Sequence, residues 1–115
     1  MPQFSLGPGE QQPYSIAVVS STAATISVVP AVVGQIVKVY RFYLVSSGTA
    51  TVTPQDGTTA LSGGVPLVAN GSWVLAADGI PWFVTSPGNA FQLANSGTGI
   101  TISGAVYYTQ NKFNA

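Results

Sequence analysis

The chain has no cysteine, no histidine and very little charge. Without cysteine there is no disulfide framework and no zinc site built on thiolates. Without histidine the commonest general base and metal ligand is missing. The ionisable side chains of both signs reduce to Glu10, Asp56 and Asp78 against Lys38, Arg41 and Lys112, with a formal net charge of zero. That balance offers nothing to nucleic acid or to an acidic membrane surface. Charged residues make up 5% of the chain, against about 25% in ordinary soluble domains. So few charges suit a lone soluble monomer poorly. Either Ser, Thr, Asn and Gln dominate the surface, or other protein chains cover much of it.

Long apolar runs are also absent. The charge-free stretch "SIAVVSSTAATISVVPAVVGQIV" is broken by Ser, Thr, Pro30 and Gly34, whereas a spanning helix needs about 20 predominantly apolar residues. Its β-branched residues argue for strands instead. The N-terminal "MPQFSLGPGEQQP" lacks the basic and apolar regions of a signal peptide, which predicts a protein made and kept in a cytoplasm.

What the 115 residues do contain is enough for one domain with a core of its own. Short β-branched or aromatic runs recur, each closed by Gly, Asn, Pro or Asp, with no sustained helical periodicity. Residues 1–13 read as an extended arm, and residues 14–115 as the folded domain. Nine strands are predicted, at 14–19, 24–29, 35–45, 49–53, 65–69, 72–76, 81–85, 90–94 and 99–110. That count and spacing predict an all-β fold, a single antiparallel β-sandwich that is jelly-roll-like in strand number. The pairs in "QDGT" (55–58) and "ANGS" (69–72) predict tight hairpins with two central residues at positive φ. "SPGN" (86–89) predicts a type II turn.

Two of the three cations lie in one apolar strand, "QIVKVYRFYLVSSGTATV" (35–52). Regular alternation places Ile36, Lys38, Tyr40, Phe42 and Leu44 on one face, and Val37, Val39, Arg41, Tyr43 and Val45 on the other. Lys38 and Arg41 are then expected on opposite sides of the sheet, unable to form one cationic patch. Arg41 has two expected partners, a carboxylate (Asp56 or Asp78) or an aromatic ring. A structural charge is the ordinary reading, and a ligand contact the functional one.

Catalytic chemistry lacks parts. A carboxylate pair of the glycosidase kind needs two positioned acids, yet Asp56 and Asp78 each precede a glycine at a turn, where Asp is favoured for backbone reasons. No Ser lies in a G-x-S-x-G elbow. The glycine-rich "ANSGTGITISG" lacks the Lys-Ser/Thr of a phosphate loop and runs into a strand. The sequence therefore predicts no catalytic, cofactor-binding or metal-binding residues. Aromatic residues remain: Trp73 and Phe83 are expected in the core, and Trp82 or Tyr107 outside. An outward Trp serves a protein interface or stacks on a sugar, as in carbohydrate-binding modules.

The segments "KVYRFYLVSSGTATVT" (38–53), "DGTTALSG" (56–63), Leu67 to Gly71, "PWF.TS.GNAF.L" from Pro81 and the closing "ISG..YY" (102–108) resemble small β-sandwich virion proteins of tailed bacteriophages and their prophages. The likeness covers about two-thirds of the chain and rests on strand and turn residues. It implies a non-enzymatic structural role on the virion, as a capsid decoration or cement protein on the major capsid protein. Self-association in a small cyclic oligomer such as a trimer would accompany it, with no nucleic acid, membrane or cofactor involved. A tail, fibre or baseplate subunit, or a carbohydrate- or receptor-binding module, is the alternative. The expected contact residues are Phe4, Leu6, Arg41, Tyr43, Trp82 and Tyr107.

Overall fold

The structure is a computed structural model and describes residues 14–76 and 79–112. Phe4, Leu6 and the arm at 1–13 lie outside the described residues, as does Asp78. All nine expected strands form, with ends shifted by up to three residues. They are β1 (Ser15–Ser21), β2 (Thr25–Val29), β3 (Gln35–Ser46), β4 (Ala50–Asp56), β6 (Val65–Leu67), β7 (Ser72–Leu75), β8 (Phe83–Val84), β9 (Phe91–Asn95) and β10 (Ile102–Lys112). The turn after Asp56 adds a two-residue strand, β5 (Thr59–Ala60). Among the described residues there is no helix, and hence none long and apolar enough to cross a membrane.

Two antiparallel sheets pack face to face. Sheet I has the order β1-β10-β3-β7, with β8 also on β3, and sheet II the order β2-β9-β4-β5, with β6 also on β4. Successive strands from β1 to β4 alternate between the sheets, as do those from β8 to β10. Each sheet contributes one side chain in two to the shared interior. Val19, Val39, Phe42, Leu44 and Val106 come from sheet I, and Ile26, Val52, Phe91 and Leu93 from sheet II. Burying each such large apolar side chain contributes about 1.5–3 kcal/mol. An aromatic chain spans the interior: Trp73 meets Phe42 edge-on at 4.9 Å, and Phe83 stacks on Phe42 at 6.4 Å and on Phe91 at 6.2 Å. Trp73 and Phe83 thus pack against the core, as their sequence positions predict.

The turns follow local chemistry only in part. Pro87-Gly88 forms the expected type II turn, with Gly88 at φ 82° and Asn89 N–H donating to the Ser86 carbonyl. The β4–β5 hairpin is displaced by one residue from expectation. Asp56 pairs with Thr59, leaving Gly57 and Thr58 in the loop with Gly57 alone at positive φ. That geometry needs glycine at the first loop position. Asn70-Gly71 makes no hairpin at all. β6 belongs to sheet II and β7 to sheet I, so residues 68–71 cross between sheets. Asn70 alone adopts positive φ, at 61°, and Gly71 N–H closes a turn onto the Val68 carbonyl.

The strand carrying Lys38 and Arg41 breaks its alternation. In the pairing with β10, Tyr107 lies opposite Arg41 while Tyr108 lies opposite Val39, so Tyr40 is an extra residue, a β-bulge. Burial changes phase at the same point. Val37 and Val39 face inward before it, and Phe42, Leu44 and Ser46 after it. The expectation that Lys38 and Arg41 lie on opposite sides is therefore corrected. The bulge absorbs the odd spacing, and both cations project from the outer face of sheet I.

Candidate functional site

The outer face of sheet I collects the side chains that β1, β10, β3 and β7 turn away from the core. Register fixes who sits beside whom. Val18, Ala105, Tyr43 and Val74 form one row across all four strands, and Ile16, Tyr107 and Arg41 form the next. A third row is Ser20, Ser103, Val45 and Ser72, and past the bulge Thr109, Lys38 and Val84 continue the face. Val18 is 82% exposed, Val74 63% and Tyr43 49%. A large apolar side chain left in water on a sheet face forgoes the burial that would stabilise it, and here Val18 and Val74 stand on the two edge strands of the sheet with Tyr43 between them.

Sheet II sets the contrast. Its outward rows read Thr25, Ala94, Thr53 and Ser27, Gln92, Gln55, uncharged and polar apart from Ala94. Residues of these types keep an outer face solvated without charge. The polar, uncharged surface that the low charge allows is thus found on sheet II, while sheet I carries exposed apolar side chains.

The cationic end of the sheet I face is aromatic. Arg41 Cζ lies 5.3 Å from the Tyr107 ring centroid and 5.8 Å from that of Tyr14. Tyr14 in turn stacks on Tyr40 at 4.8 Å. The bulge makes this cluster, because it turns Tyr40 and Arg41 outward together. Of the two expected kinds of partner for Arg41, the aromatic ring is the one present among the described residues, which do not include Asp78. A guanidinium over a ring face keeps its forked donors free for an anion.

Asp56 is occupied elsewhere. It accepts hydrogen bonds from Ser86 N–H at 3.0 Å, Ser86 Oγ at 2.9 Å and Asn89 Nδ2 at 2.9 Å. Burial pushes its carboxyl up, but these donors together outweigh that and hold it below the ordinary value of 3.8. The carboxylate ties the end of β4 to the turn before β9, and both oxygens are engaged in doing so.

Three of the residues expected at a contact surface, Arg41, Tyr43 and Tyr107, are brought together on this face. Trp82 is not among them. It lies beside β8, half exposed, with its Nε1–H donating to the Ala76 carbonyl at 3.1 Å and its backbone N–H to the Val39 carbonyl. Ile16, Val18, Val74, Tyr14 and Tyr40 escaped the sequence reading. Nothing in "YSIAVV" separates Val18 from its buried neighbour Val19, at 2% exposure. Comparison of the chain with protein-family models, with curated proteins and with solved structures found no match in any of the three.

Proposed function

We propose that this chain is a non-enzymatic structural protein of a bacteriophage virion, a capsid decoration or cement protein that binds the major capsid protein and its own copies. The observation that carries the reading is the outer face of sheet I, an apolar and aromatic surface on a chain with almost no charge. Burying it against neighbouring subunits would tie them together and stiffen the shell. A small cyclic oligomer such as a trimer repeats each contact, and multivalency compensates for weak single interfaces.

The finer fold assignment in this proposal is a jelly roll. Its support is strand order: β1-β10-β3-β7 faces β2-β9-β4-β6, the interleaving that two nested Greek keys produce. Jelly rolls are frequent in viral capsid and lectin domains, but folds host many functions, so the surface and the resemblance over residues 38–108 bear the functional weight.

Quantitative mass spectrometry of purified particles tests it. Copies in a simple lattice ratio to the major capsid protein are the expected result. A few copies per particle would move the chain to the tail, fibre or baseplate and favour receptor binding. Absence from particles would overturn the virion reading.

A further inference from the structure

We propose that β1 is a dimerisation edge: it pairs antiparallel with β1 of a second copy of this chain, with Ile16 opposite that copy's Val18 and Ala17 opposite its Ala17. Sheet I then runs without a break from one subunit into the other. The pairing rests on the fold and on the sequence of β1, so the virion reading can fail without it.

The four sheet edges differ in how they meet water. An edge strand turns the N–H and C=O of every second residue away from its sheet, a template for another strand that proteins blunt with short strands, proline, charge or bulges. Three of the edges are blunted. Opposite β1, sheet I ends in two short pieces, β7 of four residues and β8 of two. Sheet II ends on one side in β5 of two residues and β6 of three, with Pro66 inside β6. On its other side it ends in β2, which is bulged against β9 between Ser27 and Val29. β1 has none of these devices. Its seven residues, SIAVVSS, carry no charge and no proline, and they keep unbroken register with β10 from Ser15 to Ser21. Among the described residues no strand lies on its other side.

Side chains choose the partner. Any extended chain could bond this backbone, but residues directly opposite in an antiparallel pair share a face of the sheet. In β1, Ile16 and Val18 face outward, and Ala17 and Val19 face the core. Pairing β1 with itself about a two-fold axis through Ala17 keeps both faces in phase. It sets Ile16, 56% exposed, against Val18, 82% exposed, once on each side of the axis. In its own sheet Val18 stands opposite Ala105, which is too small to cover it. Moving the axis to Val18 would set Ile16 against Ser20. An axis between two residues would oppose inward to outward side chains.

Charge permits the contact, and the blunted edges stop it at two chains. Neither β1 nor β2, the sheet II edge nearest to it, carries a charged side chain. Two copies therefore meet without opposing like charges. An isologous contact uses the same edge of both subunits, so the dimer leaves only the β7 and β8 ends of sheet I open.

Sedimentation equilibrium over a concentration series reaching about 1 mM, enough to detect a weak contact, compares the unaltered chain with Val18→Lys. Lysine is a residue that natural edges use against pairing, and at an 82% exposed position it leaves the core untouched. Separately, because the chain has no cysteine of its own, Ile16→Cys and Val18→Cys are oxidised each alone and as an equal mixture. The unaltered chain is expected to rise to twice the single-chain mass of 11.8 kDa. Val18→Lys should stay at the single-chain mass with unchanged circular dichroism. Disulfide-linked dimers should form in the mixture far above either variant alone, since only unlike copies place two cysteines opposite each other. A single-chain mass at every concentration would overturn the proposal and leave the edge bare or covered within its own chain. A dimer that survives Val18→Lys, or cysteines that link equally well in each variant alone, would overturn it as well. So would a mass that passes two chains, and one settling at three would leave a trimeric virion protein standing.

Discussion

Arg41 on β3 lies directly opposite Tyr107 on β10, with its guanidinium carbon 5.3 Å from the ring centroid. The pairing exists because Tyr40 is bulged out of register, which turns Arg41 away from the core. Replacing Arg41 with Ala removes the cation from both Tyr107 and Tyr14. At an exposed site the expected cost is about 0.5–1 kcal/mol, read as a small fall in the urea midpoint with an unchanged slope.

The bulge makes two deletions diverge. Without Tyr40, Val39 still faces in, Arg41 out and Phe42 in, so the core residues keep their side of the sheet. Without Tyr43, Leu44 is driven outward and Val45 inward, because a one-residue slip flips each following side chain. The chain lacking Tyr40 is expected to fold. The chain lacking Tyr43 should lose about 2–5 kcal/mol, the cost of removing a large core side chain. Near-ultraviolet circular dichroism during urea unfolding separates them.

Gly104 sits in β10, between β1 and β3, at φ 149°. A Cβ there would fall inside the Tyr43 carbonyl oxygen. Backbone, unlike a flexible side chain, cannot step aside, and both flanking strands hold β10 in place. Gly104→Ala is expected to cost more than about 3 kcal/mol and to leave little folded protein at ordinary expression temperature, whereas Gly63→Ala, in open space, should express and melt normally.

Asp56 links stability to acid. Its folded pKa is held below the unfolded value of 3.8 by Asn89 and Ser86 against the opposing effect of burial. A depressed carboxyl contributes stability that is present above the unfolded pKa and lost as pH falls through the folded one. Unfolding free energy should therefore decline as pH drops below about 4. The Asp56→Asn variant, already weaker at pH 7, should show a shallower decline. Equal slopes for the two proteins would rule out this origin.

Thr85 is 3% exposed, and its Oγ1 accepts the backbone N–H of Val37 at 2.9 Å. Thr85→Val keeps the shape and leaves that buried N–H unpaired, an expected loss of about 1–3 kcal/mol. Thr85→Ser keeps the acceptor and should recover most of it, measured by the same urea titration.

Much of the face was legible as residue type but not as position. Arg41 stands out in sequence because charge is scarce, and Tyr43 and Tyr107 because aromatic rings suit an interface. Val18 and Val19 do not, since both are valines in an apolar run, and only pairing with β10 puts one in water and the other in the core. Trp82 drew attention by type, yet its indole N–H is spent on the Ala76 carbonyl.

By itself the sequence determined what short-range chemistry can determine. β-Branched and aromatic runs became strands, and Pro87-Gly88 closed a type II turn, because rotamer restriction and permitted φ act within a few residues. Which face each side chain takes was decided by the tertiary structure. A bulge is defined by two residues opposing one on another strand, and β3 has no local signal that Tyr40, rather than its neighbour, is the extra one. The same holds at Asn70. Its local preference for positive φ was realised, but whether the turn closed a hairpin or crossed between sheets depended on where β6 and β7 found partners, more than twelve residues away on β4 and β3.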